Sequence, residues 1–393
     1  MDQAVPRVLR LGVAGLGRAF SVMLPTFMRD ERVRLVAAAD PRPQARARFA
    51  ADFAGRTYTS VEDLCADAEV EAVYVATPHQ DHVGHARVAA THGKHLLIEK
   101  PIALTLEDAQ AITQAARKGG IHVVVGHSHS FDGPVLRTRA LIASGAYGAM
   151  RMISALNYTD FLYRPRRPEE LDTTRGGGAL FNQAPHQVDI MRLLGGGRVK
   201  SVRAQTGAWD RTRPTEGAYS ALLTFEDGAF ASLTYSGYGH FDSDEFQGWI
   251  GEMGQAKPGQ PRRERRRFAN AAEEAAFKAA RNYGGADWTP PAPEALAHQH
   301  FGTVIVSCER ADLRPLPNGV VIYDESGARL DALPPPTVPR AEVIDELYDA
   351  VVNGREPLHD GRWATATLEV CLAMLRSARD GTDVTLAHQV AVP

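Results

Sequence analysis

The sequence predicts an α/β protein: an N-terminal doubly wound parallel sheet, then an α+β domain with a large, mostly antiparallel open sheet. Three observations predict it. Short apolar runs alternate with helical periods as far as residue 126, a glycine-rich turn follows the first of those runs, and strand-like segments with few intervening helices take over beyond residue 131.

Residues 8–14, 33–39, 70–76, 95–99 and 121–126 are apolar and short, as strands buried on both faces must be. Helical periods occupy 21–29, 45–53, 81–91 and 105–118, the last opened by Thr105 with Asp108 three residues on, a capping-box pattern. Strands and helices alternating at this spacing imply right-handed βαβ units. Farther on, 134–144 is helical. Residues 150–158, 199–208, 218–225 and 230–235 favour strands, with Glu226-Asp227-Gly228 as a hairpin signal. A sheet of that kind stays open on one face unless a helix or a second subunit covers it. Residues 255–285 read as an insert: five arginines fall within 262–267, and an Ala- and Glu-rich stretch follows, expected as a solvated helix or mobile lid. Leu333-Pro334-Pro335-Pro336 reads as a linker, and helices over 340–353 and 362–379 are expected to pack back on the earlier domains. The expected division is 1–130, 131–335 and 336–393.

Composition narrows the function. The chain has 393 residues, 44% hydrophobic and 23% charged, so it is long enough to bury a core without covalent staples. A formal net charge of −3 speaks against nucleic acid or an anionic membrane as partner. No apolar run approaches the roughly 20 residues of a membrane span, and the first residues are too polar for a secretory leader. Cys65, Cys308 and Cys371 are far apart and form neither a metal pattern nor a disulfide framework, which points to a reducing cytosol.

Gly15-Leu16-Gly17-Arg18-Ala19-Phe20 follows the first strand and opens the first helix, the setting that gives a partial G-x-G-x-x-G its meaning as a Rossmann dinucleotide turn. Gly15 permits the tight turn, and Gly17 lets the backbone approach a pyrophosphate seated on the helix N-terminus. Phe20 replaces the third glycine, so helix and strand should stand slightly farther apart there. Asp40 ends the second strand, where a carboxylate accepts ribose hydroxyls and repels a 2′-phosphate. Arg42 could instead neutralise such a phosphate, so the expected cofactor is NAD, with NADP left open.

Three further segments carry a family resemblance: Glu99-Lys100-Pro101, Ala76-Thr77-Pro78-His79-Gln80-Asp81-His82, and Gly176-Gly177-Gly178-Ala179-Leu180-Phe181-Asn182-Gln183-Ala184-Pro185-His186. In this order, on such a frame, the chain resembles the Gfo/Idh/MocA oxidoreductases. The resemblance implies that Lys100 lies near the nicotinamide and stabilises an alkoxide or exchanges a proton. It implies that Glu99 contacts the nicotinamide ribose, that Thr77, Pro78, His79 and His82 belong to a cofactor loop, and that His186 is the acid–base histidine. Asn182 stands where the family usually has Asp and cannot take a proton, which leaves Lys100 with His186. Asp189 either orients His186 or forms a plain salt bridge. His79, His82, His85, His127, His129, His298 and His300 lack a matching carboxylate or cysteine set, so no metal is expected.

Two segments bear on substrate. Residues 157–168 put aromatics, including Tyr163, beside Arg164, Arg166 and Arg167; residues 232–241 run through Tyr235 to His240. Arginine forks suit carboxylates and aromatic walls suit a planar ring. With the basic insert, these segments resemble the branch of the family that oxidises phthalate 4,5-cis-dihydrodiol to 4,5-dihydroxyphthalate. The alternatives are a sugar or cyclitol dehydrogenase, an NAD-dependent glycosidase, or a non-catalytic NAD-binding regulator. By analogy with relatives, a homodimer or homotetramer through the C-terminal sheet is expected.

Overall fold

Six parallel strands form the first sheet in the computed structural model, which describes residues 7–126, 128–259, 266–290 and 297–392. They are β1 (Leu9–Ala14), β2 (Val33–Ala39), β3 (Arg56–Tyr58), β4 (Ala72–Val75), β5 (His95–Ile98) and β6 (Val123–Val125), ordered β3-β2-β1-β4-β5-β6. The connecting helices are α1 (Arg18–Arg29), α2 (Pro43–Phe53), α3 (Val61–Ala66), α4 (His82–Thr91) and α5 (Leu106–Gly119). The strand order reverses between β1 and β4, so their C-terminal ends frame the crevice where open α/β sheets bind ligands. The alternation of periods expected from the sequence is present. The Thr105 hydroxyl accepts from the Asp108 amide at 3.1 Å, and Gly120 closes α5 in the left-handed region. β3 and α3 go beyond the expectation: a three-residue strand shows no period.

The second sheet has nine strands: β7 (Met150–Tyr158), β8 (Val199–Gly207), β9 (Ala218–Phe225), β10 (Phe230–Ser236), β11 (Thr303–Cys308), β12 (Asp312–Leu316), β13 (Gly319–Asp324), β14 (Gly327–Ala332) and β15 (Val384–Thr385). Their order is β14-β13-β12-β11-β7-β10-β9-β8-β15, antiparallel throughout except where β10 lies parallel to β7. The remaining helices are α6 (Gly133–Ala143), α7 (Gly178–Asn182), α8 (Ala184–Leu194), α9 (Ala271–Ala280), α10 (Ala341–Asn353) and α11 (Gly361–Asp380). All eleven residues of α8 are buried, Arg192 among them, its guanidinium bonded to Thr367 at 2.7 Å and Gln389 at 3.1 Å. Strand alternation leaves Leu222, Phe230, Ile305, Tyr323 and Leu330 between 40 and 46% exposed.

The chain divides into two units. One comprises Met1–His127, Ala276–Pro293 and Val338–Thr365; the other comprises Ser128–Ala275, Glu294–Thr337 and Ala366–Pro393. The insert was expected as a solvated helix or mobile lid; α9 is such a helix, with Glu274 its one buried residue, and the described segment is anchored at two points. Glu274 of α9 is buried, accepting from the Arg166 amide and the Arg213 guanidinium, each at 2.8 Å. Tyr283 packs edge-on to Phe20 with ring centres 5.0 Å apart and donates to Asp52 at 2.7 Å. Arg262 to Arg265 of the basic run lie outside the described residues.

Candidate functional site

Gly15 has φ +93°, and a Cβ there would stand 2.9 Å from the Ala76 carbonyl oxygen, so the turn from β1 to α1 passes the end of β4 only as glycine. A Cβ on Gly17 would meet nothing within 4 Å, so the space before the helix is open. Gly17 is the N-cap of α1; no side chain caps that end and its first turn holds no acid. Unscreened amides of a twelve-residue helix facing open space fit a pyrophosphate. Arg18 is exposed and Ala19 half-buried beside them. The Phe20 side chain is wholly buried against Tyr283 and Phe49, so what it offers a cofactor is main chain.

Asp40, buried at the end of β2, accepts from the amides of Leu16 and Arg42, both at 2.8 Å. The Arg42 fork closes on the same carboxylate, Nε to Oδ1 and Nη2 to Oδ2, both at 3.0 Å. Arg42 also donates to the carbonyls of Leu16 at 2.8 Å and Tyr283 at 3.3 Å. The carboxylate expected to meet the ribose and the arginine expected to meet a phosphate are therefore each other's partner.

At the end of β5, Glu99 accepts a hydrogen bond from the Tyr74 hydroxyl, and burial pushes its carboxyl above the ordinary range. Lys100 is half-buried, and the Lys100–Pro101 bond is cis. Thr77 and His79 lie half-buried and Pro78 exposed after β4, with the Thr77 hydroxyl 2.9 Å from His85 Nδ1. His82 corrects an expectation. It is wholly buried, with Nδ1 3.2 Å from the Ile102 carbonyl and Nε2 3.1 Å from that of Thr77, so its ring ties the loop after β4 to the segment after Lys100 and presents no free edge to a cofactor.

In the other unit, a second group of side chains converges. Asp132 stands at the N-cap of α6, but its carboxylate is 2.7 Å from His129 Nδ1 instead of capping the helix. His129 Nε2 lies 3.5 Å from Glu252, whose other oxygen is 3.8 Å from Arg164. Burial alone would lower the His129 pKa. The carboxylates of Asp132 and Glu252 outweigh it and hold the imidazolium to about 9. Burial alone would raise Glu252, but His129 and Arg164 bring it to about 2. His186, on the first turn of α8, stands edge-on to His129 with ring centres 4.9 Å apart and 5.0 Å from Phe301. Tyr235 stacks parallel to Phe301 at 6.1 Å, and its hydroxyl binds Thr159 at 2.7 Å and Gln183 at 3.1 Å. Arg166 lies 3.8 Å over the Phe161 ring, and burial lowers it to about 10.

Thus His186, Tyr235, Arg164 and Arg166 fall in or beside one aromatic, charged cluster. Others expected there do not. Tyr163 donates to Asp210 at 2.7 Å and packs on Tyr238, within a separate apolar group around Leu162 and Ala218. His240 is exposed on the turn after β10. The Asn182 amide nitrogen donates to the carbonyls of Gly176 at 3.2 Å and Gly178 at 2.8 Å. Asp189 accepts from Ser128, Ser130 and Thr367 at 2.5 to 2.6 Å. His129, Glu252, Gln183 and Phe301 were not singled out as substrate residues. The one available signal was Asp132, three residues from His129. His127, paired with His129 in the sequence, lies outside the described residues.

Comparison with known proteins agrees with this frame. Residues 9–127 match the oxidoreductase family with an NAD-binding Rossmann fold, and residues 135–254 match the Gfo/Idh/MocA C-terminal domain. The chain is 47% identical over 383 residues to the 1-carboxy-3-chloro-3,4-dihydroxycyclohexa-1,5-diene dehydrogenase of Comamonas testosteroni, covering 94% of this chain and 95% of that one. A crystal structure of a dehydrogenase from Bordetella bronchiseptica RB50 superposes with a TM-score of 0.87 and 40% identity, over 96% of this chain and 100% of that one. An Agrobacterium radiobacter oxidoreductase, solved with NAD+, L-tartaric acid and magnesium, shares the fold at 18% identity and a TM-score of 0.71, over 96% and 98% of the two chains. Turn, sheet and matches define an NAD-dependent oxidoreductase. The chain belongs to the Gfo/Idh/MocA family, as its three sequence motifs implied.

Proposed function

We propose that this enzyme oxidises a cis-dihydroxycyclohexadiene that carries a ring carboxylate, giving the corresponding catechol carboxylate. The nearly full-length likeness to the Comamonas testosteroni dehydrogenase carries the reading. The charged and aromatic cluster around His129, Arg164, Phe301 and Tyr235 supports it, because it offers ring walls and two cations for a flat anion. Phthalate 4,5-cis-dihydrodiol is the particular substrate that the arginine- and aromatic-rich segments favour.

NAD, when bound, would supply the hydride acceptor for this oxidation. Gly15, Gly17 and the first amides of α1 would hold its pyrophosphate, Asp40 and Arg42 would serve its adenosine ribose, and Glu99 would serve its nicotinamide ribose. Lys100 and His186 act on the carbinol. Either His186 takes the hydroxyl proton as the C–H bond breaks while a Lys100 ammonium stabilises the developing alkoxide, or a neutral Lys100 amine takes that proton. Asn182 orients the hydroxyl without a proton of its own to exchange. Two hydrogens leave, one as hydride and one as proton, and the hydroxydienone tautomerises to the catechol.

Steady-state NADH formation from phthalate and benzoate cis-dihydrodiols, with inositol and glucose as controls, tests this reading. Turnover of the sugars and of neither dihydrodiol would overturn it in favour of the sugar or cyclitol alternative. We further propose a cytosolic homodimer or homotetramer joined through the open sheet face, where Leu222, Phe230 and Ile305 stand exposed on strands β9, β10 and β11.

A further inference from the structure

We propose that His129 and Arg164 form the seat for the substrate's ring carboxylate, and that Glu252 is an internal carboxylate which the substrate displaces from it. The inference rests on the proposed reaction and adds residues to it.

The geometry separates Glu252 from its acidic neighbours. Asp132 holds His129 Nδ1 at 2.7 Å, and Asp160 holds the Arg164 Nε at 2.9 Å. Glu252 spans the same two cations from their remaining sides, at 3.5 Å and 3.8 Å, both longer than a charge-assisted hydrogen bond. It is the loosest carboxylate in the group, and its side chain is 25% exposed while those of His129 and Asp132 are 2 and 3%. Arg164 is 43% exposed. The seat therefore has a buried cation at its floor and a more exposed one at its mouth.

Exchange costs little in charge. One carboxylate leaves for solvent and another arrives, so the balance among His129, Arg164, Asp132 and Asp160 is unchanged. The main chain under Glu252 does not have to move. Gly251 and Gln255 are joined at 2.7 Å, and so are Lys257 and Trp249, which hold the turn while the side chain swings. A carboxylate at His129 Nε2 would bring its ring toward Phe301, which packs on both His129 and His186. Glu252 thus keeps the buried imidazolium compensated until the correct anion takes over, and an uncharged diol would have no means of displacing it.

The test compares wild type with Glu252→Gln and Arg164→Met on two cis-dihydrodiols, one with a ring carboxylate and one without. The readout is the ratio of their kcat/KM values. Arg164→Met is expected to lower that ratio about tenfold or more, and Glu252→Gln to raise it severalfold by removing the competitor. A ratio unchanged in both variants overturns the proposal. Calorimetry of benzoate with the NAD-loaded enzyme gives a second readout that needs no turnover. Benzoate should bind tighter to Glu252→Gln and weaker to Arg164→Met than to wild type, and equal or absent binding in all three overturns the seat. If neither dihydrodiol is oxidised while benzoate follows this order, the reaction fails and the anion seat stands.

Discussion

Two carboxylate–arginine pairs mark the two units, and they are built to opposite ends. Asp40 takes two main-chain amides and both prongs of Arg42 at 2.8 to 3.0 Å. Glu252 meets its cations only at 3.5 and 3.8 Å. The first pair is a fixture: it shapes the turn at the end of β2 and fastens Arg42 to the carbonyls of Leu16 and Tyr283. The second is a holding arrangement that another anion of the same shape can replace. The same residue types thus give a rigid element or an exchangeable one, according to how many short bonds each oxygen makes.

The largest expected effect tests the lysine assigned to the chemistry. Lys100→Ala should lower kcat/KM by about 10²- to 10⁴-fold while calorimetry still finds NAD bound. Full activity in that variant removes Lys100 from the reaction. Next comes pH. His129 is raised from 6.5 to about 9, so its stabilising share is whole below 6.5 and is lost as pH climbs through 9. Glu252 is lowered from 4.5 to about 2, so its share is whole above 4.5 and is lost as pH falls through 2. His129 faces Asp132, Glu252, His186 and His300, and only the two carboxylates favour its charge. Urea unfolding of wild type and His129→Gln should therefore show a stability gap near pH 6 that shrinks by roughly 3 kcal/mol near pH 9.5. A constant gap would mean that folding leaves the His129 pKa unshifted.

The comparison itself is sharpened by removing one charge at each end. Asp40→Asn should cost about 2 kcal/mol in denaturant unfolding and weaken NAD binding, because the fork and two amides lose a buried anion. Glu252→Gln should cost less than Asp40→Asn, because its contacts at 3.5 and 3.8 Å are longer than hydrogen bonds. Equal costs would erase the distinction between fixture and exchangeable group. The smallest effect belongs to the open sheet face. Leu222→Lys should change monomer stability by less than about 0.5 kcal/mol yet lower the apparent mass in size-exclusion chromatography if copies meet there.

The parallel sheet was legible because its strands are short apolar runs between caps, and both facts are local. Thr105 with Asp108, and Gly15 beside a strand, specify their geometry within a few residues. Strands β11 to β14 were not read, because their alternation is weak and the stretch before them resembles an insert; β14 buries none of its residues. The site divides the same way. Lys100 and His186 stood out through motifs, whereas His129 owes its charge to Asp132 nearby and to Glu252 far along the chain. No spacing rule reports a partnership made by folding. Tyr163 failed for the converse reason: its composition suited a ring wall, but Asp210 and Tyr238 draw it elsewhere.

The one parallel pairing in the second sheet among the described residues, β7 beside β10, brings the finishing ends of both strands to one border. The Thr159 amide there donates to Ser236 at 2.8 Å, and that of Leu162 to Gly237 at 2.9 Å. Two loops of independent length therefore leave from a shared rim, one leading to the arginines and the other past Tyr238. Lengthening or trimming either would reshape what the enzyme admits without disturbing a rung of the ladder, so diversification of substrate among descendants of this scaffold has a ready place to occur.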